Sequence, residues 1–128
     1  MRQVLIDSSV AIAAFRNNEA VLRRLATVQA VVTMTILGEL YYGAYRAAQT
    51  GRQLAYIAGL IGNSVLLTGD RETADRYGAL KHALRQQGML IPENDLWIAA
   101  AALRHGLPLA TRDTQHFGRV SGLDVELW

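Results

Sequence analysis

VLIDSSVAIAAF, running from Val4 to Phe15, reads as a short strand, a turn and the start of a helix. Val4, Leu5 and Ile6 follow one another with no polar residue between them. A strand with one wet face alternates apolar and polar residues. One that does not alternate is buried on both faces, as in a parallel sheet covered by helices. Ligands of open α/β sheets bind in the crevice beyond the carboxyl ends of the strands, which is where Asp7 stands. An Asp or Ser after a strand also serves as the N-cap of the next helix, so Asp7, Ser8 and Ser9 each carry that second reading.

Outward from this stretch the chain alternates helices with brief apolar strands. The helix begun at Val10 is broken at Asn17-Asn18. Glu19 to Val28 is amphipathic, with Val21, Leu22, Leu25 and Ala26 on one face and Arg23 and Arg24 on another. Ala30-Val31-Val32 is a second buried strand, after which Thr33 and Thr35 can cap a long helix from Ile36 to about Gln49. A helix over Arg52 to Ile61 stops at Gly62-Asn63, and Ser64 to Leu67 is a third strand. Asp70 caps a helix to about Gln87. Pro92 opens another that ends at Gly106, placed as a C′ residue with Pro108 soon after. Leu109-Ala110 is a fourth strand, Thr111 to Gly118 a loop with one helical turn, and Asp124 to Leu127 the last strand. This order predicts an α/β fold, a parallel sheet of four to five short strands flanked by helices. Right-handed crossovers then bring most strand ends to one side. No linker, repeat or low-complexity segment interrupts the 128 residues, so a single domain over 1–128 is expected.

Hydrophobic residues make up 51% of the chain, which excludes disordered and fibrous classes. The absence of cysteine excludes disulfides and thiolate metal sites. No apolar run approaches the ~20 residues needed to span a membrane, and Met1-Arg2-Gln3 leads directly into a strand without a signal peptide. A cytoplasmic location and no membrane partner are therefore expected. The net charge is +2, from 13 Lys+Arg and 11 Asp+Glu, and Lys81 is the one lysine. If four acids gather in one pocket, seven remain against thirteen basic residues, leaving a surplus of six on the rest of the surface. An acidic cleft in a basic surround suits a metal-dependent enzyme acting on a polyanion, and arginine matches phosphate with its planar fork. Compositional bias accounts for the arginines equally well, so charge permits this idea without carrying it.

Three later acids are candidates to join Asp7. Glu39 sits inside its helix with Thr35, Tyr42 and Gly43 on its own face, while Leu37, Leu40, Tyr41 and Ala44 form the packing face. Gly38 and Gly43 each cost that helix roughly 1 kcal/mol against Ala, so a close approach to the backbone is expected there. Asp95 lies in the first turn after Pro92, where negative charge also favours the helix dipole. Ile98, Ala99 and Ala102 carry that helix into the core. Asp113 follows the fourth strand through Thr111-Arg112 and can equally cap the turn before His116-Phe117. Each acid alone has an ordinary explanation. Together, three fall at strand ends or helix starts, and the fourth lies within about a turn of one.

Two carboxylates ~4 Å apart repel by about 4 kcal/mol at an effective dielectric of 20. A cluster of such groups implies a counter-cation, and all-oxygen carboxylate sites suit Mg²⁺ or Mn²⁺. Ions of that kind activate water and stabilise the leaving oxygen of a phosphodiester. Ser8 and Ser9 would position water or phosphate as hydroxyl donors, with turn capping as their other reading.

With these residues in place, the chain resembles the PIN-domain ribonucleases, and within them the VapC-type toxins of toxin–antitoxin pairs. The matching blocks are VLIDSS, the TILGELYYGA helix with Glu39 embedded in it, P-x-x-D followed by IAAAAL, and GLPLATRDTQHFGRVSGL. Their order and spacing run the length of the chain. The resemblance implies the PIN sandwich, three layers with a parallel sheet between helices. It implies that Asp7, Glu39, Asp95 and Asp113 are the metal-binding, catalytic acids, with Ser8 or Ser9 in the family's hydroxyl position. It further implies cleavage of single-stranded or structured RNA leaving a 5′-phosphate, homodimers, and a cognate VapB-type antitoxin whose C-terminal segment covers the cleft.

Glu93 is an extra acid that the pattern does not require. His116-Phe117 reads as a packing anchor, His82 and His105 as surface histidines. Tyr41, Tyr42 and Tyr45 suit base stacking or a partner surface, with Tyr41 also suited to the core. A receiver-type signalling domain would need a phosphoacceptor Asp after the third strand and a late-strand Lys, and Lys81 lies on a helix. A haloacid-dehalogenase-type phosphatase wants DxD after the first strand, where Ser9 stands instead. No glycine-rich phosphate loop is present. A catalytically silent PIN-like module that binds RNA or protein is the remaining alternative, and the presence of all four acids argues against it.

Overall fold

The computed structural model describes every residue from Met1 to Trp128. Five strands, β1 (Gln3–Ile6), β2 (Gln29–Thr33), β3 (Val65–Leu67), β4 (Leu109–Thr111) and β5 (Val125–Leu127), form one parallel sheet in the order β3-β2-β1-β4-β5. Seven helices connect them: α1 (Ser8–Phe15), α2 (Glu19–Leu25), α3 (Met34–Arg46), α4 (Thr50–Gly62), α5 (Arg71–Gln86), α6 (Glu93–His105) and α7 (Thr114–Phe117). Val4, Leu5 and Ile6 are completely buried, so both faces of the central strand are covered, as their unbroken apolar run requires. Each such side chain contributes roughly 1.5–3 kcal/mol on leaving water. Together with Val31, Val32, Leu109 and Ala110 they seed a single core cluster of 27 buried residues.

The helix boundaries follow local chemistry. The Thr33 hydroxyl accepts from the Ile36 amide at 3.2 Å and starts α3, which ends at Arg46, three residues before the expected stop. Asp70 caps α5 by accepting from the Thr73 amide at 2.8 Å. Asn17 takes a left-handed φ of 61° between α1 and α2, and Asn18 caps α2 through the Val21 amide. Gly106, at φ 62°, terminates α6 in the left-handed region that glycine tolerates.

Three expectations need correction. The third strand lies at the sheet edge, and Val65 and Leu66 are both more than a third exposed, so the sheet is not covered to its margin. On α2 only Val21 is buried; Leu22 and Ala26 face solvent because that helix lies at the periphery. Nothing stands within 4 Å of where a Cβ would be at Gly38 or Gly43, so no neighbour approaches the α3 backbone there.

The topology sets where a site can form. From β1 the chain passes to β2 on one side, and only after β3 does it return to place β4 on the other. The order therefore reverses at β1, and the crevice opened by that reversal lies at the carboxyl end of β1, at Asp7.

Candidate metal centre

Asp7 is 7% exposed and is held by three donors. Its Oδ1 accepts from the Ser8 amide at 2.9 Å, which also caps α1. Its Oδ2 accepts from Ser9 Oγ at 3.0 Å and from Thr111 Oγ1 at 2.9 Å. Of the DSS turn, Asp7 is the N-cap of α1, while Ser8 and Ser9 stand in the first turn of the helix and hold its buried carboxylate. The backbone locks the same arrangement, since the Asp7 amide donates to the Ala110 carbonyl of β4 at 2.9 Å. Ser9 Oγ also accepts from the Arg112 amide at 3.1 Å.

Glu39 enters from α3, half-buried, with Leu40 and Ile36 beside it in the core. Its Oε1 is shut off from solvent and has no hydrogen-bond partner. Burial pushes its carboxyl above the usual range, the charges of Asp7 and Asp95 push it further, and the side chains of Asn94 and Ser8 offset part of the rise. Asp95, in the first turn of α6, is also raised, by burial and by the charges of Asp7 and Asp113. His116 opposes that rise, its Nδ1 lying 2.9 Å from Asp95 Oδ2. Asp113 is exposed and caps α7, accepting from the Gln115 amide at 3.0 Å, while its charge reaches Asp95.

The four acids therefore share one electrostatic basin at the carboxyl end of the sheet. Their side chains do not close on a common point: no three Asp, Glu or His groups stand within chelating reach of one position. Bringing such groups together costs several kcal/mol unless a cation offsets the repulsion. The donor set is all oxygen, half-buried, and includes one carboxylate oxygen with nothing to bind. That combination fits a divalent cation of the Mg²⁺ class.

Glu93, two positions before Asp95 in the same turn of α6, belongs elsewhere. It is exposed, pairs with Lys81 and accepts from the Tyr77 hydroxyl at 2.5 Å, so α5 engages it. Reading His116 as a packing anchor misplaces it: Phe117, 2% exposed, fills that role, and the imidazole faces Asp95. Thr111 and Asn94 also went unread. Thr111 is fully buried, donates to Asp7, and its Oγ1 accepts from the Asp113 amide at 3.0 Å. The signal available was a hydroxyl at a strand's carboxyl end two residues before an acid, which ordinary strand propensity hides.

Comparison with known proteins identifies the family. The PIN domain family model matches residues 4–123. Ribonuclease VapC2 of Haemophilus influenzae is 36% identical over 97 residues, 76% of this chain and 74% of that protein. The tRNA(fMet)-specific endonuclease VapC of Shigella flexneri is 30% identical over 131 residues, covering 100% of this chain and 99% of the relative. Among solved structures, DNA-bound VapBC from Salmonella typhimurium superposes with a TM-score of 0.90 at 26% identity, over 98% of both chains. VapBC2 from Rickettsia felis, bound to a DNA fragment from its promoter, gives 0.92 at 21% identity over 98% of both chains, a likeness of fold. Fold and sequence identity agree, and the chain belongs to the PIN-domain family, among its VapC ribonucleases.

Proposed function

We propose that this chain is a single-domain toxin endoribonuclease that hydrolyses RNA phosphodiester bonds with Mg²⁺ or Mn²⁺, with Asp7, Glu39, Asp95 and Asp113 as the acids that hold the metal. The observation that carries the site is Glu39: a carboxylate oxygen buried without a partner, facing the charges of Asp7 and Asp95. A divalent cation bound there supplies the charge that activates water and shields the leaving oxygen. The protein's own groups do the rest. Ser8, Ser9 and Thr111 fix Asp7 at the floor of the crevice. Ser8, whose hydroxyl reaches the Glu39 carboxylate, and Ser9, whose hydroxyl donates to Asp7, are the groups we assign to positioning water or a phosphate oxygen.

A VapB-type antitoxin is the cognate inhibitor, and a surface suited to it runs from the amino end of the sheet toward Glu39. Phe15, Leu22, Leu25, Tyr56 and Leu60 line an apolar groove of about 600 Å³. Phe15 also lines a smaller groove of about 220 Å³ that ends on Arg16 and Glu39. A peptide seated along both would reach the acids. The active protein is a homodimer working in the cytoplasm, and no helix is long and apolar enough to cross a membrane.

Purified protein, freed of antitoxin, should cleave RNA only with added Mg²⁺ or Mn²⁺, and Asp7→Asn or Glu39→Gln should abolish cleavage while leaving the circular dichroism spectrum intact. Undiminished cleavage by both variants would end the enzyme reading in this form, and a parent that cuts no RNA with either metal would leave the silent RNA- or protein-binding module in its place. Sequencing the 5′ ends of RNAs cut on expression without the antitoxin would identify the target.

A further inference from the structure

His116 touches the acidic basin and has no place among the four acids. We propose that His116 is a positioning residue that holds the Asp95 carboxylate by one oxygen and so presents the other to a divalent cation. The inference rests on the metal-dependent reading above. Asp7 is clamped by three donors, but Asp95 has a single hydrogen-bond partner, His116 Nδ1, 2.9 Å from Oδ2. A carboxylate that ligates metal is ionised and can only accept, so Nδ1 carries the hydrogen of this bond. With Oδ2 engaged, Oδ1 is the oxygen left to ligate. Without the imidazole, the side chain would be free to rotate away from Asp7 and Glu39, whose charges repel it.

The imidazole is itself held from the core. Phe117, at 2% exposure, seats the single turn of α7 against the body of the protein. The turn is closed by the Gly118 amide donating to the Thr114 carbonyl at 2.8 Å, and a Cβ at Gly118 would lie 2.9 Å from that same oxygen. Asp113 caps the turn on its other side. The order of support thus runs from core to Phe117, to α7, to His116, to Asp95. Outer partners of this kind set the orientation of metal-ligating groups, and their loss typically costs about 10–100-fold in metal affinity.

The test is calorimetric titration of Mn²⁺ into the antitoxin-free full-length protein. It uses the parent, His116→Ala, His116→Asn, His116→Gln and Asp95→Asn, each checked for its melting temperature. His116→Ala should bind Mn²⁺ about 10–100-fold more weakly than the parent. His116→Asn, whose amide N–H stands near the place of Nδ1, should recover most of the affinity. His116→Gln, whose amide lies one bond further out, should not. The proposal is overturned if His116→Ala binds like the parent while Asp95→Asn has lost affinity. It is also overturned if Asn and Gln bind alike, because the side chain would then act by bulk and not by its hydrogen bond. A parent that binds no Mn²⁺, or an Asp95→Asn variant that binds as tightly as the parent, overturns the metal reading itself and this inference with it.

Discussion

Glu39 shows how burial and neighbouring charge can work against a single carboxylate. Its helix buries Ile36, Leu37, Leu40 and Ala44, and the carboxylate enters the same protected region with one oxygen unpartnered. Its raised pKa has a consequence whose sign can be worked out. A native value above the unfolded one means that the folded state holds the proton more tightly. Stability is therefore lost as pH rises from the unfolded glutamate value of about 4.3 through the higher native value. In the presence of EDTA, Glu39→Gln should melt at a higher temperature than the parent at neutral pH. The gap should close as pH falls below that window. A gap of constant size between acid and neutral pH would show that the charge on Glu39 is not the cause. At this scale the residues with carboxylates were legible in the sequence, since an acid beside apolar neighbours announces a conflict. Thr111, Asn94 and His116 were not, because a hydroxyl, an amide or an imidazole has many ordinary roles, and only proximity to Asp7, Glu39 and Asp95 separates this one.

Among the elements, α6 gives the sharpest contrast between pattern and packing. The sequence carries Ala99 and Ala102 into the core, and Ala100 and Ala101 between them are buried as well. The helix is enclosed nearly all round, packed on α5, α3 and α7. Small side chains let the α6 backbone sit close to its neighbours, and this fixes where Asp95 emerges one turn earlier. Ala100→Leu should destabilise the protein by about 1–3 kcal/mol, because a well-packed interior has no room for three further carbons. Urea titration checks this, and a midpoint unchanged from the parent would mean that the space around Ala100 is loose. The caps of α3 and α5, the glycine stop of α6 and the strand starts were legible, since each depends on a few neighbouring residues. The open margin at β3 was not: SVLL carries the same apolar signal whether a helix covers it or the sheet simply ends there.

Across the whole molecule, acids outside the basin stand among bases, as in the pairs Arg2–Glu126, Lys81–Glu93 and Arg104–Asp70. Four of the eleven acids gather at one end of the sheet, leaving a basic surplus elsewhere on the surface, and Arg16 lines the groove beside Glu39. Arg16 is therefore placed where a polyanion entering beside Glu39 would pass. RNA binding by the cleavage-deficient Glu39→Gln protein should weaken as salt rises. Adding Arg16→Ala should reduce the slope of log affinity against log salt by about 0.7 if Arg16 contacts one phosphate of a single strand. Filter binding across a salt series measures both, and identical slopes would place Arg16 outside the RNA path. The parallel α/β architecture, the position of Asp7 at a strand end and the identity of the four acids followed from the sequence by itself. Strand patterning, helix caps and side-chain chemistry are local properties that a few residues determine. Tertiary structure alone decided that β4 returns to the far side of β1. That return brings Thr111 onto Asp7 and lets α7 aim His116 at Asp95. Such contacts join residues 104 and 21 positions apart, and their geometry depends on how the core packs between them, which no local pattern encodes.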